Sequence, residues 1–443
     1  MVFIYGLNIS GLSIFEYFKR NNIQTLLWDD NHVVRNNIKK KFKSVIFIHP
    51  KKINWNIVKE AYVSPGIDLK HKFLLFKKNK SKLFRDLELY SRLVNNQKII
   101  AVTGTNGKST TVKMISELII NNKSKCFVGG NIGKSLIDFS LQKEKSTTHV
   151  IELSSYQLES APSFSSDISI LLNISNDHID RHKTMQNYVS LKEKILKKNK
   201  LYSIISIDDK FCKKIYKKHK SKNIIPISNS QILSKGLSFI DGKIIDNYFE
   251  NKIIFIKKIP RSLKGSFNEQ NILATYATSK ILKMKTNIFY KTVENFRGLP
   301  HRFEYIYDNK KFSVINNSKA TNIDSALKTI KNLDNIYLII GGRIKNDNFN
   351  SFKKFKNKIK TCFIIGESTN LIYNQLSNFF ICKKSYNLER AVKQISLSMK
   401  KMNTKINIIF APACSSFDQF SSFEERGITF KKLVKSKLKK YVS

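Results

Sequence analysis

The residues best suited to chemistry lie in one short stretch, VTGTNGKSTT at 102–111. Glycine at 104 and 107 lets the backbone turn tightly and aim its N–H groups at an anion. A helix beginning near Ser109 adds the partial positive charge of its N-terminus. Lys108 has the reach for a β- or γ-phosphate, and the Ser109 hydroxyl is a donor of the kind that ligates Mg2+. Gly104, Thr105, Asn106, Gly107, Lys108, Ser109 and Thr110 therefore form a candidate nucleoside-triphosphate loop. The match to G-x-x-x-x-G-K-[ST] is incomplete, because Val102 occupies the first glycine position. The plain alternative is a glycine-containing turn between a strand and a helix.

Two further places combine reactive residue types with a suitable position. Glu152 ends an apolar run in the segment IELSSYQLE, where a carboxylate faces a nucleotide as a Mg2+ ligand or is a simple strand-end acid. The segment NISNDHIDRH at 173–182 also follows an apolar run and gathers acids, imidazoles and a guanidinium. A loop at the carboxyl end of a strand is where open α/β sheets place metal and phosphate chemistry. Neither segment alone names a reaction.

Positioning these residues requires strands and helices in alternation. Residues 98–102 read as a strand and 109–120 as a helix with Val112, Ile115, Leu118 and Ile119 on one face. Upstream, residues 2–5, 12–20 and 24–28 read as strand, helix and strand, with Gly6 to Gly11 as the turn and Asp29-Asp30 at the second strand's end. That is a dinucleotide-fold opening, although Asn8 stands where its second glycine is expected. Residues 61–66 read as a strand running into a Ser-Pro-Gly turn, and the charged stretch 77–82 lies near a boundary. Further strands are expected at 150–153, 168–173, 203–207 and 223–227, an antiparallel edge at 252–257, and a helix at 268–284. Beyond residue 296, strands at 312–315, 336–340, 361–365 and 406–411 again alternate with helical patterns. The expected fold is α/β with three domains: a Rossmann-like domain at 1–94, a central P-loop ATPase-type domain with a parallel sheet at 95–295, and a Rossmann-like domain at 296–443.

Composition narrows the class. A chain of 443 residues with 41% hydrophobic content has enough material for several cores. Its five cysteines are scattered, with no CxxC pair, which points to a reducing compartment rather than a disulfide or zinc framework. Residues 1–18 lack the basic start of a signal peptide, and no apolar run approaches the roughly 18–20 residues of a membrane span. A cytoplasmic location is expected. The formal charge of +46 invites nucleic acid. Its lysines, however, are spread through every segment beside asparagine and isoleucine rather than gathered on one face, so no specific nucleic-acid partner is expected. The densest basic run, 431–440, reads as a solvated helix edge with Leu433, Val434 and Leu438 turned inward.

Taken together, the motifs resemble the Mur ligase family, the ATP-dependent amino-acid-adding enzymes of peptidoglycan synthesis, over nearly the whole chain. The shared elements are TGTNGKS (103–109), GGNIG (129–133), ELSS (152–155), NISNDHIDR (173–181) and NEQN (268–271). GLPHRFE (298–304), NNSKATN (316–322), SSFDQF (415–420) and FEERG (423–427) resemble the member that adds D-glutamate to UDP-N-acetylmuramoyl-L-alanine. The resemblance implies a UDP-sugar module, a central ATPase and an amino-acid-binding module, with ATP and Mg2+ required and a monomer as the family's default. It also implies an acyl-phosphate route, because a carboxylate does not react with an amine until it gains a leaving group.

By the same resemblance, Ser109 and Glu152 hold one Mg2+ and His178 helps hold the second. Lys192, within YVSLKEK (188–194), falls where the family carries a carbamylated lysine. Asn268, Asn271 and Asn317 resemble nucleotide contacts, and Arg302 the arginine that the third domain brings to the ATP phosphates. Lys319, Thr321, Lys345, Ser416, Phe417 and Phe423 match the D-glutamate side. Ser10, Asp29, Ser64, Gly66 and Asn131 match the UDP-sugar side, with Ser154 and Gln157 beside the substrate. Four positions depart from the pattern: Asn317 for a ribose-binding aspartate, Asn8 for a glycine, Asn31 for an arginine, and Arg343 in the glutamate-side loop. A sibling ligase, a folylpolyglutamate synthase, or a non-catalytic basic protein built on a decayed ligase are the competing readings.

Overall fold

A computed structural model of the chain describes residues 1–42, 44–71, 74, 82–141, 148–197, 199–219, 223–344, 348–399 and 404–441, with backbone only at 141, 267 and 440. Among the described residues the strands form three sheets, and the α/β class expected from the sequence is what is observed. The first sheet runs, in spatial order, Ile46–Phe47, Thr25–Trp28, Val2–Tyr5, Glu60–Val63 and Leu83–Phe84, with every pairing parallel. Its order reverses on either side of Val2–Tyr5, so the turn after that strand opens at a switch point.

The second sheet has nine strands in the order Lys252–Phe255, Lys243–Asp246, Leu237–Ile240, Ile224–Ser228, Asn199–Ser206, Ser166–Leu171, Lys98–Thr103, Thr148–Glu152 and Cys126–Gly130. Lys98–Thr103 lies between Ser166–Leu171 and Thr148–Glu152, parallel to both. The segments that follow these three strands therefore share one edge, the edge on which an open parallel sheet binds ligands. Thr148–Glu152 is buried at every position, as expected of a parallel strand covered on both faces. Lys252–Phe255 is the antiparallel edge anticipated at 252–257.

The third sheet runs Glu304–Asp308, Phe312–Asn316, Ile406–Phe410, Ile336–Gly341, Ile359–Ile365 and Ile381–Tyr386, parallel apart from its first pair. Alternate residues of Ile336–Gly341 fill two separate cores: Ile336, Leu338 and Ile340 on one face, Tyr337 and Ile339 on the other. The helix Phe423–Leu438 covers the second face with Phe430, Val434 and Leu438. Lys432, Lys435 and Lys437 are exposed and Lys431 pairs with Glu304, so the basic run is a solvated helix edge.

Contacts divide the chain into two compact units. One holds Met1–Ile259 with Ser266–Asn295, the other Pro260–Gly265 with Phe296–Ser443. The first and second sheets thus belong to one unit, and one apolar core reaches from Leu27 and Tyr90 through Ile99 and Ile151 to Phe164. Several strands were not read from the sequence. Leu237–Ile240 and Lys243–Asp246 form a hairpin at the sheet's end, Cys126–Gly130 is partly glycine, and Ile381–Tyr386 is an edge strand carrying Lys383 and Lys384. Short, glycine-bearing or charged edge strands lack the apolar run that marks a central one. The stretch 77–82 lies, apart from Lys82, outside the described residues. No helix among the described residues is long and apolar enough to cross a membrane.

Within the first unit, His149 joins the strand Thr148–Glu152 to the helix Asp86–Leu93. It is almost wholly buried, its Nδ1 meets the Tyr90 hydroxyl at 2.9 Å, and the rings of Phe127 and Phe139 lie 5.1 Å away. Burial pushes its pKa down to about 4, so the folded protein holds it neutral. An unfolded histidine titrates near 6.5, so its contribution is present above that pH and is lost as pH falls from about 6.5 to 4. Chemical denaturation across this window should show a loss on the order of 3 kcal/mol in wild type that is missing in His149→Gln. Parallel pH curves for the two proteins would contradict this.

Candidate active site

The strand Lys98–Thr103 delivers the chain to residues 104–107, and the helix Lys108–Asn121 follows at once. Gly107 caps that helix with φ +87°, and a Cβ there would sit 2.4 Å from Asn271 Oδ1. Glycine is required at 107 both for conformation and for space. The loop is gripped from the neighbouring strand end: Thr105 N–H donates to Asn173 O at 2.8 Å, and Asn106 N–H to Asn173 Oδ1 at 2.8 Å. Behind the helix start, Thr111 Oγ1 donates to Asn271 Oδ1 at 3.0 Å, and Asn271 Nδ2 to Asn268 Oδ1 at 2.9 Å. Both asparagines are buried on the helix Ser266–Ile281, while Thr110 is half-buried.

Lys108 curls over the loop, with Nζ 2.9 Å from both Gly104 O and Thr105 O. Lys192 reaches the same carbonyl from the helix Met185–Glu193, with Nζ 2.8 Å from Gly104 O and 4.8 Å above the Tyr188 ring. Only 2% of Lys192 is exposed. Burial, and next to it the Lys108 ammonium, hold its pKa well below the ordinary lysine value, a shift toward the neutral amine. A neutral amine is the form that adds CO2, and the product is an oxygen anion suited to a hard cation.

Glu152 is buried at the end of Thr148–Glu152, where Oε2 accepts from Ser109 Oγ at 2.5 Å and Oε1 from Asn131 Nδ2 at 2.8 Å. Among the described residues no three His, Cys, Asp or Glu side chains cluster as a metal cage. The Ser109–Glu152 pair nonetheless fits Mg2+, which takes one or two protein oxygens and fills its octahedron with water and phosphate. His178, at φ +57°, opens the short helix Ile179–His182 and is partly exposed, with Nε2 3.6 Å from Asp177 Oδ2. His182 Nε2 meets Ser155 Oγ at 2.9 Å.

In the first sheet, Asp29 is buried and already engaged, accepting from Leu7 N–H at 2.7 Å and Asn31 N–H at 2.9 Å. It shapes the turn after Val2–Tyr5. Asn31 caps the helix His32–Lys41 by accepting from Val33 N–H, which accounts for an asparagine there. Ser64 Oγ donates to Gly6 O at 2.7 Å, and Gly66 is exposed with open space around it. Ser10 and Gln157 meet on one buried carboxyl, Asp86, with Gln157 Nε2 at 3.1 Å; Gln157 Oε1 in turn accepts from Ser154 N–H at 3.1 Å. Asn131 directly follows the strand Cys126–Gly130 and stands by Glu152.

In the other unit, the segments after Phe312–Asn316 and Ile406–Phe410 converge. Lys319 Nζ lies 3.9 Å over the Phe423 ring, and Thr321 is half-buried on the same segment. Ser416 is buried, whereas Phe417 is 65% exposed. Asn317 Nδ2 donates to Thr329 Oγ1 at 2.6 Å. Arg302 pairs in an isolated bridge with Leu299, Arg343 is tied to Glu367 at 2.8 Å, and Lys345 lies outside the described residues.

Sequence reasoning passed over the arginines that hold these segments. Buried Arg426 donates to Ser318 O and Oγ, Cys414 O and Ser415 O, pinning the two segments together. Buried Arg85 donates to the carbonyls of Val63, Ser64 and Ile67 and pairs with Glu159, which Arg181 also reaches at 3.1 Å. Arg426 was visible inside FEERG, but nothing local distinguishes an arginine that binds carbonyls from a solvated one.

The Mur ligase middle-domain profile matches residues 102–279. A Rickettsia prowazekii (strain Madrid E) protein is 36% identical over 98% of this chain and 97% of its own length; one from Caulobacter vibrioides (strain NA1000 / CB15N) is 32% identical over 98% and 95%. The chain belongs to the Mur ligase family. Both relatives, and a third from Wolbachia pipientis wMel at 31% identity over 97% of this chain and 95% of its own, bear the name UDP-N-acetylmuramoylalanine--D-glutamate ligase. Among solved structures, Thermotoga maritima MurF in complex with ADP superposes with TM-score 0.60 at 15% identity, covering 86% of this chain and 90% of that one. A type C pseudomurein peptide ligase from Methanothermus fervidus gives 0.58 at 18% identity, covering 98% and 99%. These structures share the fold.

Because a Cβ at 107 would collide with Asn271 and the residue would need a left-handed φ, Gly107→Ala should weaken nucleotide binding by about tenfold or more. Titration with a fluorescent ADP analogue checks this, and wild-type affinity in the variant would contradict it.

Proposed function

We propose that the protein is an ATP- and Mg2+-dependent ligase that joins D-glutamate to UDP-N-acetylmuramoyl-L-alanine through an acyl phosphate, in cytoplasmic peptidoglycan precursor synthesis. The observation that carries the reaction class is the buried Lys192 amine on the Gly104 carbonyl beside Lys108. The choice of substrates rests on the shared name of relatives matched over nearly their full length.

The chemical difficulty is that a carboxylate and a triphosphate, both anions, must meet. Lys108 and the start of Lys108–Asn121 supply positive potential at the phosphates, where it stabilises charge spread over the transferring group. Mg2+, when bound, screens the phosphate oxygens, with Ser109 and Glu152 as its first ligands and carbamylated Lys192 and His178 serving a second ion. Asn268 and Asn271 hold the nucleotide side of the loop, with Asn317 and Arg302 also contributing to ATP. Ser10, Asp29, Ser64, Gly66 and Asn131 take the UDP-sugar, with Ser154 and Gln157 beside it. Lys319, Thr321, Lys345, Ser416, Phe417 and Phe423 take D-glutamate, whose two carboxylates need a cation and several donors. Residues 1–94, 95–295 and 296–443 are read accordingly as UDP-sugar, ATP and amino-acid modules of a monomer.

Phosphate release with ATP, Mg2+ and UDP-N-acetylmuramoyl-L-alanine should require D-glutamate and give a product heavier by one glutamyl residue by mass spectrometry. Turnover only with another amino acid would replace this reading with that of a sibling ligase. Lys192→Ala should lose activity and regain part of it with added short carboxylic acids, which stand in for the carbamate; unchanged activity would refute the carbamate role.

A further inference from the structure

We propose that Gln270 and Asp208 are positioning residues that hold the Asn173 amide in the orientation in which it grips the phosphate loop. The inference rests on the reading that this loop binds nucleotide phosphates. Asn173 grips the peptide of Asn106 from both sides: Asn106 N–H donates to Oδ1 at 2.8 Å, and Nδ2 donates to Asn106 O at 3.1 Å. The same Nδ2 donates to Gln270 Oε1 at 3.1 Å, and Gln270 Nε2 donates to Asp208 Oδ2 at 2.8 Å. The relay therefore runs from the segment after Asn199–Ser206, through the helix Ser266–Ile281 and the segment after Ser166–Leu171, into residue 106.

A primary amide has a donor end and an acceptor end, and a row of amides can be satisfied in either direction when nothing fixes one end. An ionised carboxylate only accepts. Asp208 is such an end. Its oxygens also receive the hydroxyls of Ser206, Ser228 and Ser230 and the N–H of Asn229. Burial opposes its charge, but these donors and Gln270 outweigh it and hold the carboxyl below its usual range. Gln270 must then turn Nε2 toward Asp208 and Oε1 toward Asn173. That sense matches the one the Asn106 peptide imposes on Asn173, whose Oδ1 takes the Asn106 N–H and whose Nδ2 serves both the Asn106 carbonyl and Gln270. On the opposite side of the loop, the next residue of the same helix, Asn271, accepts from Thr111. One helix thus braces Asn106 of the loop, through Asn173, and Thr111 at the start of the following helix.

The test breaks the link between positions 270 and 208 and then remakes it with donor and acceptor exchanged, in the full chain. Gln270→Glu sets two carboxylates against each other; Gln270→Met removes both hydrogen bonds without adding charge. In Asp208→Asn/Gln270→Glu the new amide donates to the new carboxylate, whose second oxygen accepts from Asn173 as before. Displacement of a fluorescent ADP analogue, together with steady-state kinetics, reads the result. Both single variants should bind about tenfold more weakly, the scale of one or two lost buried hydrogen bonds, with KM for ATP raised in proportion. Their kcat and their KM for the UDP-linked substrate should stay within about threefold of wild type, and the double variant should recover nucleotide affinity to a similar margin. Wild-type affinity in Gln270→Met, or a double variant no better than Gln270→Glu, would overturn the proposal. A wild-type protein that binds no ADP analogue would instead remove the reading of the loop on which it rests.

Discussion

Two lysines share one carbonyl oxygen. Lys108 comes from the helix that follows the 104–107 loop, Lys192 from a helix much later in the chain, and both place Nζ within 2.9 Å of Gly104 O. Two ammonium ions so close would repel, and burial of Lys192, with Lys108 beside it, lowers the Lys192 pKa well below the ordinary lysine value. The state of one amine therefore couples the loop to the helix Met185–Glu193.

The loop under these lysines contributes little stiffness of its own, since its two glycines leave the backbone free to turn. Its shape is imposed from outside, by Asn173 on one flank and by Asn268 with Asn271 on the other. Glu152 and Ser109 close the remaining side from the adjacent strand. Asparagine serves well in such a shell because one side chain both donates and accepts, so it can replace the peptide-to-peptide bonds that an irregular loop cannot make. The cost is directional ambiguity, which an acceptor-only carboxylate removes.

Outside the loop, buried arginines do the comparable work. Arg85 collects carbonyls of the 63–67 turn, and Glu159 joins it to Arg181, three residues beyond His178. Arg426 does the same for segments 318 and 414–415. A planar guanidinium with several fixed donors suits a cluster of carbonyls better than an ammonium would. In a chain with 79 Lys and Arg, the buried arginines Arg85 and Arg426 have a structural task, and the overall charge of +46 says little about them.

Contiguous features were legible in the sequence. The strand, loop and helix around 98–121 were read with bounds within a residue or so of those observed, because apolar periodicity and glycine placement are local signals. The central strands of all three sheets were legible for the same reason, and the order of the motifs carried the family. Edge strands such as Ile381–Tyr386 and the hairpin 237–246 were not, since exposed edges carry charge and short runs instead of a buried stripe. The grouping of the first two sheets into one unit, the burial of Lys192, the engagement of Asp29 with its own turn and the carbonyl-binding arginines were decided only by the tertiary structure. Each depends on partners tens of residues away, and a side chain's charge state and hydrogen-bond direction are properties of its surroundings, which residue type alone does not specify.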